Sequence, residues 1–205
     1  MLALFASPAV AQSDLRELST DRPDKTESPH TVDAGDVQIE LDFATVTQDR
    51  TADERVETFA LAPFNLKFGI GRNTDLQLVI APYQRQMTTD ERTGDRSRIA
   101  GFGDVTLRLK HNLWGNDGGP TALALMPFIT LPTGREGLGA EGVEFGLIVP
   151  LAITLSDGID LGLMTQINAT RADGRYRATF INSATLGFTL TDRIGIYPEI
   201  YTEFD

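Results

Sequence analysis

Along most of this 205-residue chain, apolar side chains recur at every second position and nowhere at the spacing of an amphipathic helix. Val37, Ile39, Leu41 and Phe43 share one parity, while Gln38, Glu40, Asp42 and Ala44 take the other. The same device returns at 64–71, 76–81, 105–110, 121–132, 143–155, 159–168, 176–190 and 194–204. Such a pattern predicts about nine β-strands, each with one apolar and one polar face. The polar parity carries Glu40, Asp42, Lys67, Arg85, Arg108, Lys110, Glu144, Arg177, Glu199 and Glu203.

The connections add a second constraint. Residues 47–55, 87–98, 132–142 and 171–175 are polar or glycine-rich and read as mostly long loops; 71–74, 114–120, 156–158 and 191–193 read as mostly short turns. Long and short connections alternate along the chain. Soluble sandwiches use Greek-key connections and have no reason to alternate in this way. Outer-membrane barrels do, with short periplasmic turns and longer external loops. The apolar runs also reach about a dozen residues, as tilted membrane strands of roughly 9–11 residues require, and a sheet in lipid must close on itself to satisfy its backbone. The expected fold class is therefore all-β, a transmembrane up-and-down antiparallel β-barrel. A soluble lipocalin-like barrel with its apolar face inward is the alternative.

Composition narrows the function classes. A net charge of −11 and a pI near 4.6 leave no basic stripe for nucleic acid. The absence of Cys excludes thiol catalysis, thiolate metal sites and disulfides, and two His residues cannot build a His-rich metal site. Mean hydropathy is −0.14 and no apolar run approaches a membrane helix. That excludes helical spans only, because alternation hides an apolar wall inside an average hydropathy. No cofactor is expected.

Residues 1–11 read MLALFASPAVA, the apolar stretch and small-residue cleavage site of an export signal. The usual positive start is missing, since the first basic residue is Arg16, so the reading is a signal-peptide remnant whose true start lies upstream. Residues 12–35 form a polar periplasmic lead-in centred on Thr20, Asp21, Arg22, Pro23 and Asp24, with Lys25 and Glu27 following. Residues 36–205 form the barrel domain.

Three stretches taken together resemble a known family: TDRPDKTESP followed by TVDAGDVQIELDF, then GFGDVTLRLKHNLWGNDGG, then ALALMPFITLPTG. Over about residues 18–205 the chain is similar to outer-membrane proteins called "putative MetA-pathway of phenol degradation", or simply transporters. The resemblance implies a barrel in the Gram-negative outer membrane that passes small, often aromatic or apolar, solutes. It implies outer-membrane lipid, the solute and the barrel-assembly machinery as partners. Members of this family continue with further strands and finish on an aromatic residue. Bacterial single-chain barrels have even strand numbers, so nine strands ending at Phe204-Asp205 read as a C-terminally incomplete barrel of ten to twelve.

Candidate chemistry is sparse. Gly101-Phe102-Gly103-Asp104 and the 134–139 run GREGLG lack the following helix and Lys-Ser/Thr ending of a phosphate loop. His111 near Trp114 is an interfacial residue or, in an outer-membrane lipid hydrolase, a catalytic one; no Ser or acid stands beside it in sequence. The chain is not expected to be an enzyme. Two readings of the inward charges stay open: they pair across the lumen and fill it, or they line a narrow aqueous path. The lead-in is a candidate to occlude that path in part. Phe43, Phe64, Trp114 and Phe145 are expected in outward aromatic girdles.

Overall fold

The computed structural model describes residues 15–22, 24–191 and 193–204. The signal-peptide remnant and Pro23 lie outside the described residues. Fourteen strands follow in chain order: β1 (Val37–Leu41), β2 (Ala44–Arg50), β3 (Glu54–Leu61), β4 (Phe64–Gly71), β5 (Thr74–Ile80), β6 (Tyr83–Asp90), β7 (Arg96–Gly101), β8 (Val105–Trp114), β9 (Thr121–Leu131), β10 (Glu144–Ser156), β11 (Ile159–Ala172), β12 (Arg175–Thr191), β13 (Ile194–Ile196) and β14 (Glu199–Phe204). All pairings are antiparallel, and no helix occurs among the described residues.

Ten strands form one sheet in the order β1-β4-β5-β8-β9-β10-β11-β12-β13, with β14 also on β12; β2-β3-β6-β7 form a second. The fourteen strands nevertheless make nine passages, because five passages are each broken once. The breaks fall at 42–43, 62–63, 81–82, 102–104 and 197–198, and three contain a proline (Pro63, Pro82, Pro198), which has no N–H to give a ladder. Ala62 takes a positive φ of 51° at its break. Backbone bonds from Asp42 N to the Pro63 carbonyl, Ala62 N to the Phe43 carbonyl and Gly103 N to the Ala81 carbonyl carry pairing past the interruptions. The second sheet is thus the far end of the first four passages.

Three expected loops are shorter than the sequence suggests. Residues 47–55, 87–98 and 171–175 are mostly strand, with turns left only at 51–53, 91–95 and 173–174. These strand ends are polar on both faces, so they show none of the alternation that marks the rest. Only the 132–143 connection is long. Closure is a further difference. Among the described residues the pairing order begins at β1 and ends at β13 and β14, with no ladder between them, so the sheet does not close.

The two faces are inverted relative to a water-soluble protein. The largest fully buried side chains include Lys67, Lys110, Gln77, Asn112 and Asp75, while Phe43 is 88% exposed and Ile39, Ile200 and Phe204 are more than half exposed. The apolar core is small: Met126, Ile148 and Met164, with Phe128 and Ile181 packed against them. Gly146 makes room for one of these side chains, since a Cβ there would meet the Phe128 ring.

Candidate functional site

The inward parity of the first four passages is strongly charged, and a lone buried charge costs several kcal/mol. The lead-in supplies the missing partners. Asp21 sits between two lysines, with Lys67 Nζ at 2.5 Å and Lys110 Nζ at 2.9 Å; Lys67 Nζ also reaches Glu40 at 2.5 Å. The Asp21 backbone N–H donates to the Glu40 carboxylate at 3.1 Å. Two carboxylates and two ammonium groups therefore balance in one buried cluster. Burial alone would raise the Asp21 carboxyl, but Lys110 and Lys67 outweigh it and hold it well below its ordinary value.

Contacts continue along the segment. Arg22 pairs with Asp42, and Arg108 Nη1 donates to Glu27 Oε1 at 2.7 Å. The N–H groups of Lys25 and Thr26 donate to Glu199, as does the Thr26 hydroxyl, which also meets Ser183 and Thr185. Lys25 Nζ lies 4.8 Å from the Tyr201 ring centroid. The return leg uses Asn112 Nδ2 to the Pro29 carbonyl, Thr31 N–H to Asn116 Oδ1, and Val32 N–H to Asp75. Both legs are tied together where Ser19 meets Ser28 at 2.6 Å and Arg16 meets Asp33 at 2.8 Å.

Residues 16–33 thus form a finger. It is anchored beside the 72–73 and 115–120 turns, where Arg16 reaches Asp117. Its tip, at Arg22 and 24–27, spans the interior, and it withdraws again to Gly69. There the backbone fit requires glycine, because a Cβ on Gly69 would overlap the Asp33 carbonyl.

The finger also reveals the curvature of the sheet. The Asp21 N–H reaches Glu40 on β1, while the Thr26 N–H reaches Glu199 on β14. Eight strand spacings separate those strands, about 38 Å in a flat sheet, yet five residues of chain cover at most about 18 Å and a glutamate side chain with its hydrogen bond adds only about 8 Å at each end. The sheet must curl around the finger.

The other sequence-selected residues fall elsewhere. Arg85 is half-buried, its guanidinium 5.3 Å from the Phe59 ring centroid. Glu144, half-buried at the loop end, accepts the Arg171 N–H at 3.2 Å. Arg177 is exposed and pairs with Asp173 of its own hairpin, and Glu203 is exposed on β14. Thr20 stays exposed and bonds the Arg22 carbonyl; Asp24 is half-buried. Sequence reasoning missed Asp75, Asn65, Asn112, Asn116 and Asp104; inward parity was available for the first three, whereas Asn116 sits in a turn and Asp104 at a strand break. Asp104 explains the glycine run: its carboxylate accepts the N–H groups of Gly134 and Ala140, folding the 132–143 loop back toward the strand break. The anion cradle is filled by the chain's own carboxylate. His111 is exposed and its Nδ1 meets Thr74 at 2.8 Å.

A family model described as "Putative MetA-pathway of phenol degradation" matches residues 20–205. The chain belongs to this family. The matched span includes the finger from Thr20 onward as well as every strand, so the phenol-degradation family model covers the insert together with the wall. No curated protein and no solved structure matches the chain.

Proposed function

We propose that the chain is a bacterial outer-membrane β-barrel that passes small solutes, with its lumen constricted by its own N-terminal finger. The observation that carries this reading is the inverted partition, with lysines and carboxylates buried and phenylalanines and isoleucines exposed on the outward parity. In water that arrangement would expose apolar area at about 25 cal/mol per Å²; against lipid it is the stable one. Outer-membrane lipid covers the outward face, and the barrel-assembly machinery inserts the chain. The curled sheet supports a lumen, and membership of the phenol-degradation family supports passage of a small solute. The protein acts as a conduit and not as an enzyme.

The finger favours a second reading, a barrel that does not conduct, because each cation of the central cluster already has a carboxylate. Planar-bilayer recording separates the two. The wild type is expected to conduct weakly, and deletion of residues 16–33 to raise conductance several-fold and shift selectivity toward anions, since Lys67 and Lys110 lose Asp21. No current from either protein, with strand content intact, would establish the non-conducting reading.

A further inference from the structure

The second sheet, β2-β3-β6-β7, sorts its charges by face. Cross-strand register puts Arg50, Arg55, Arg85, Arg96 and Arg98 on one face, where Glu57 is the single carboxylate among the strand residues. The opposite face carries Asp49, Glu54 and Asp90 and no cation. In a chain of net charge −11, five arginines on one side of four strands are not a matter of composition.

The acidic face is the inner one. Its Gln84 lines a cavity of about 450 Å³ with Val79, Leu138 and Ala140. Its Ile99 lies against the folded-back loop, since a Cβ on Gly137 would meet it at 3.2 Å. The arginine face holds Val46 and Leu61, both exposed. Strand breaks shift the alternation by one residue, so outward Leu61 is followed by outward Phe64, and outward Ile80 by Tyr83. That shift turns Arg85, whose parity in sequence reads as inward, to the outside.

Height in the wall follows from the apolar residues below. Along β3 and β4 they run outward from Phe59 to Ile70, about 36 Å of strand and roughly 28 Å across a membrane at a tilt of about 40°. The lipid-facing band of an outer-membrane barrel is about 25 Å tall, so Phe59 stands at its outer edge. Arg85 is the cross-strand partner of Phe59, its guanidinium 5.3 Å from the ring centroid. Arg98 and Arg96 lie one and two rows further out on β7, and both are exposed.

Two of the five arginines are already answered. Arg50 and Arg55 each reach Glu91 at 3.3 Å, and Arg55 reaches Glu57 at 3.8 Å. Among the described residues no carboxylate pairs with Arg85, Arg96 or Arg98. Arg98 is diagonal to Arg85 and two residues from Arg96 on the same face, spacings of about 7 Å. Like charges so placed repel, and a bound anion relieves them. Guanidinium forks bind phosphate through paired N–H bonds.

We propose that Arg85, Arg96 and Arg98 hold the phosphate groups of an outer-leaflet lipid, whose acyl chains lie against Phe59 and Leu61. Position selects the lipid: these cations stand on the outside of the wall, at the upper edge of its apolar band, where headgroups lie. The proposal rests on the reading of the chain as an outer-membrane barrel and adds which lipid chemistry it holds, and where.

Native mass spectrometry of the full chain released from neutral-detergent micelles tests this. The probes are lipid A with two phosphates, lipid A with one, and phosphatidylcholine. A one-to-one adduct is expected with the first, a weaker one with the second and none with the third. Replacing both exposed arginines, Arg96→Gln with Arg98→Gln, should weaken the diphosphoryl adduct about tenfold or more. Arg50→Gln, whose cation belongs to Glu91, should leave it unchanged. If the double variant loses its strands by circular dichroism, Arg98→Gln alone takes its place. Equal adducts from wild type and variant, an equal loss with Arg50→Gln, or equal retention of phosphatidylcholine would overturn the site. Inorganic pyrophosphate at the lipid's concentration should not compete; full displacement would overturn the lipid as occupant. Lost lipid preference in a chain that folds only in micelles overturns this site alone, whereas a folded, monodisperse chain in detergent-free buffer overturns the membrane reading beneath it.

Discussion

Asp21, Lys67 and Lys110 meet where each residue is no more than 4% exposed, so the finger is held by charges that have little access to water. Removing one partner of a buried pair leaves an uncompensated ion and costs about 3–5 kcal/mol. Lys110→Met is therefore expected to destabilise by about that amount in chemical unfolding of the micellar protein, with Lys67 limiting the loss. Acid acts through the other partner. The folded Asp21 carboxyl lies below its ordinary value of 3.8, so its stabilisation is complete above that value and disappears only as pH falls through the lower folded value. The finger should resist pepsin at about pH 4 and become cleavable only in stronger acid, whereas Asp21→Asn should be cleavable already at the milder pH. Cleavage of both proteins alike at about pH 4 would refute the anchoring role of this carboxylate.

At the scale of elements, the segment that leads out of the finger and β4 meet backbone to backbone. Gly35 N donates to the Gly69 carbonyl at 2.7 Å, and Gly69 N to the Asp36 carbonyl at 3.0 Å. Alanine is a better strand residue than glycine, so Gly69→Ala should leave the wall intact. Its methyl overlaps the Asp33 carbonyl, a backbone atom that cannot swing aside as a side chain would. The expected result is unchanged strand content by circular dichroism with fast amide exchange at Thr31 and Val32. Unchanged protection at those two amides would show that the base of the finger tolerates displacement. The sequence could not announce this contact, because the alternation makes Gly69 look like one more inward position.

For the whole molecule, the outward parity decides the solvent. Large apolar side chains on every passage remain exposed, from Ile39 on β1 to Phe204 on β14. Strand content should therefore form on dilution from denaturant into micelles or vesicles and fail to form in buffer, where the chain precipitates. A monodisperse folded protein in detergent-free buffer would overturn the membrane reading. The same alternation made the all-β class legible, since period two is local and survives without tertiary context, but not the breaks that give fourteen strands where about nine are expected. It failed at 47–55 and 87–98, where strands polar on both faces carry no such mark.

Sequence by itself determined the all-β class, the parity of Lys67, Arg108 and Lys110, and the family to which the chain belongs. Those are properties of neighbours along the chain. What only the tertiary structure decided is which charge answers which: Asp21 finds Lys110 across 89 residues, and Thr26 finds Glu199 across 173. Charge type and spacing allow many such pairings. The curl of the sheet and the depth of the finger select one set, and leave Glu27, Arg108 and Asn65 each with one buried polar atom that lacks a hydrogen-bond partner.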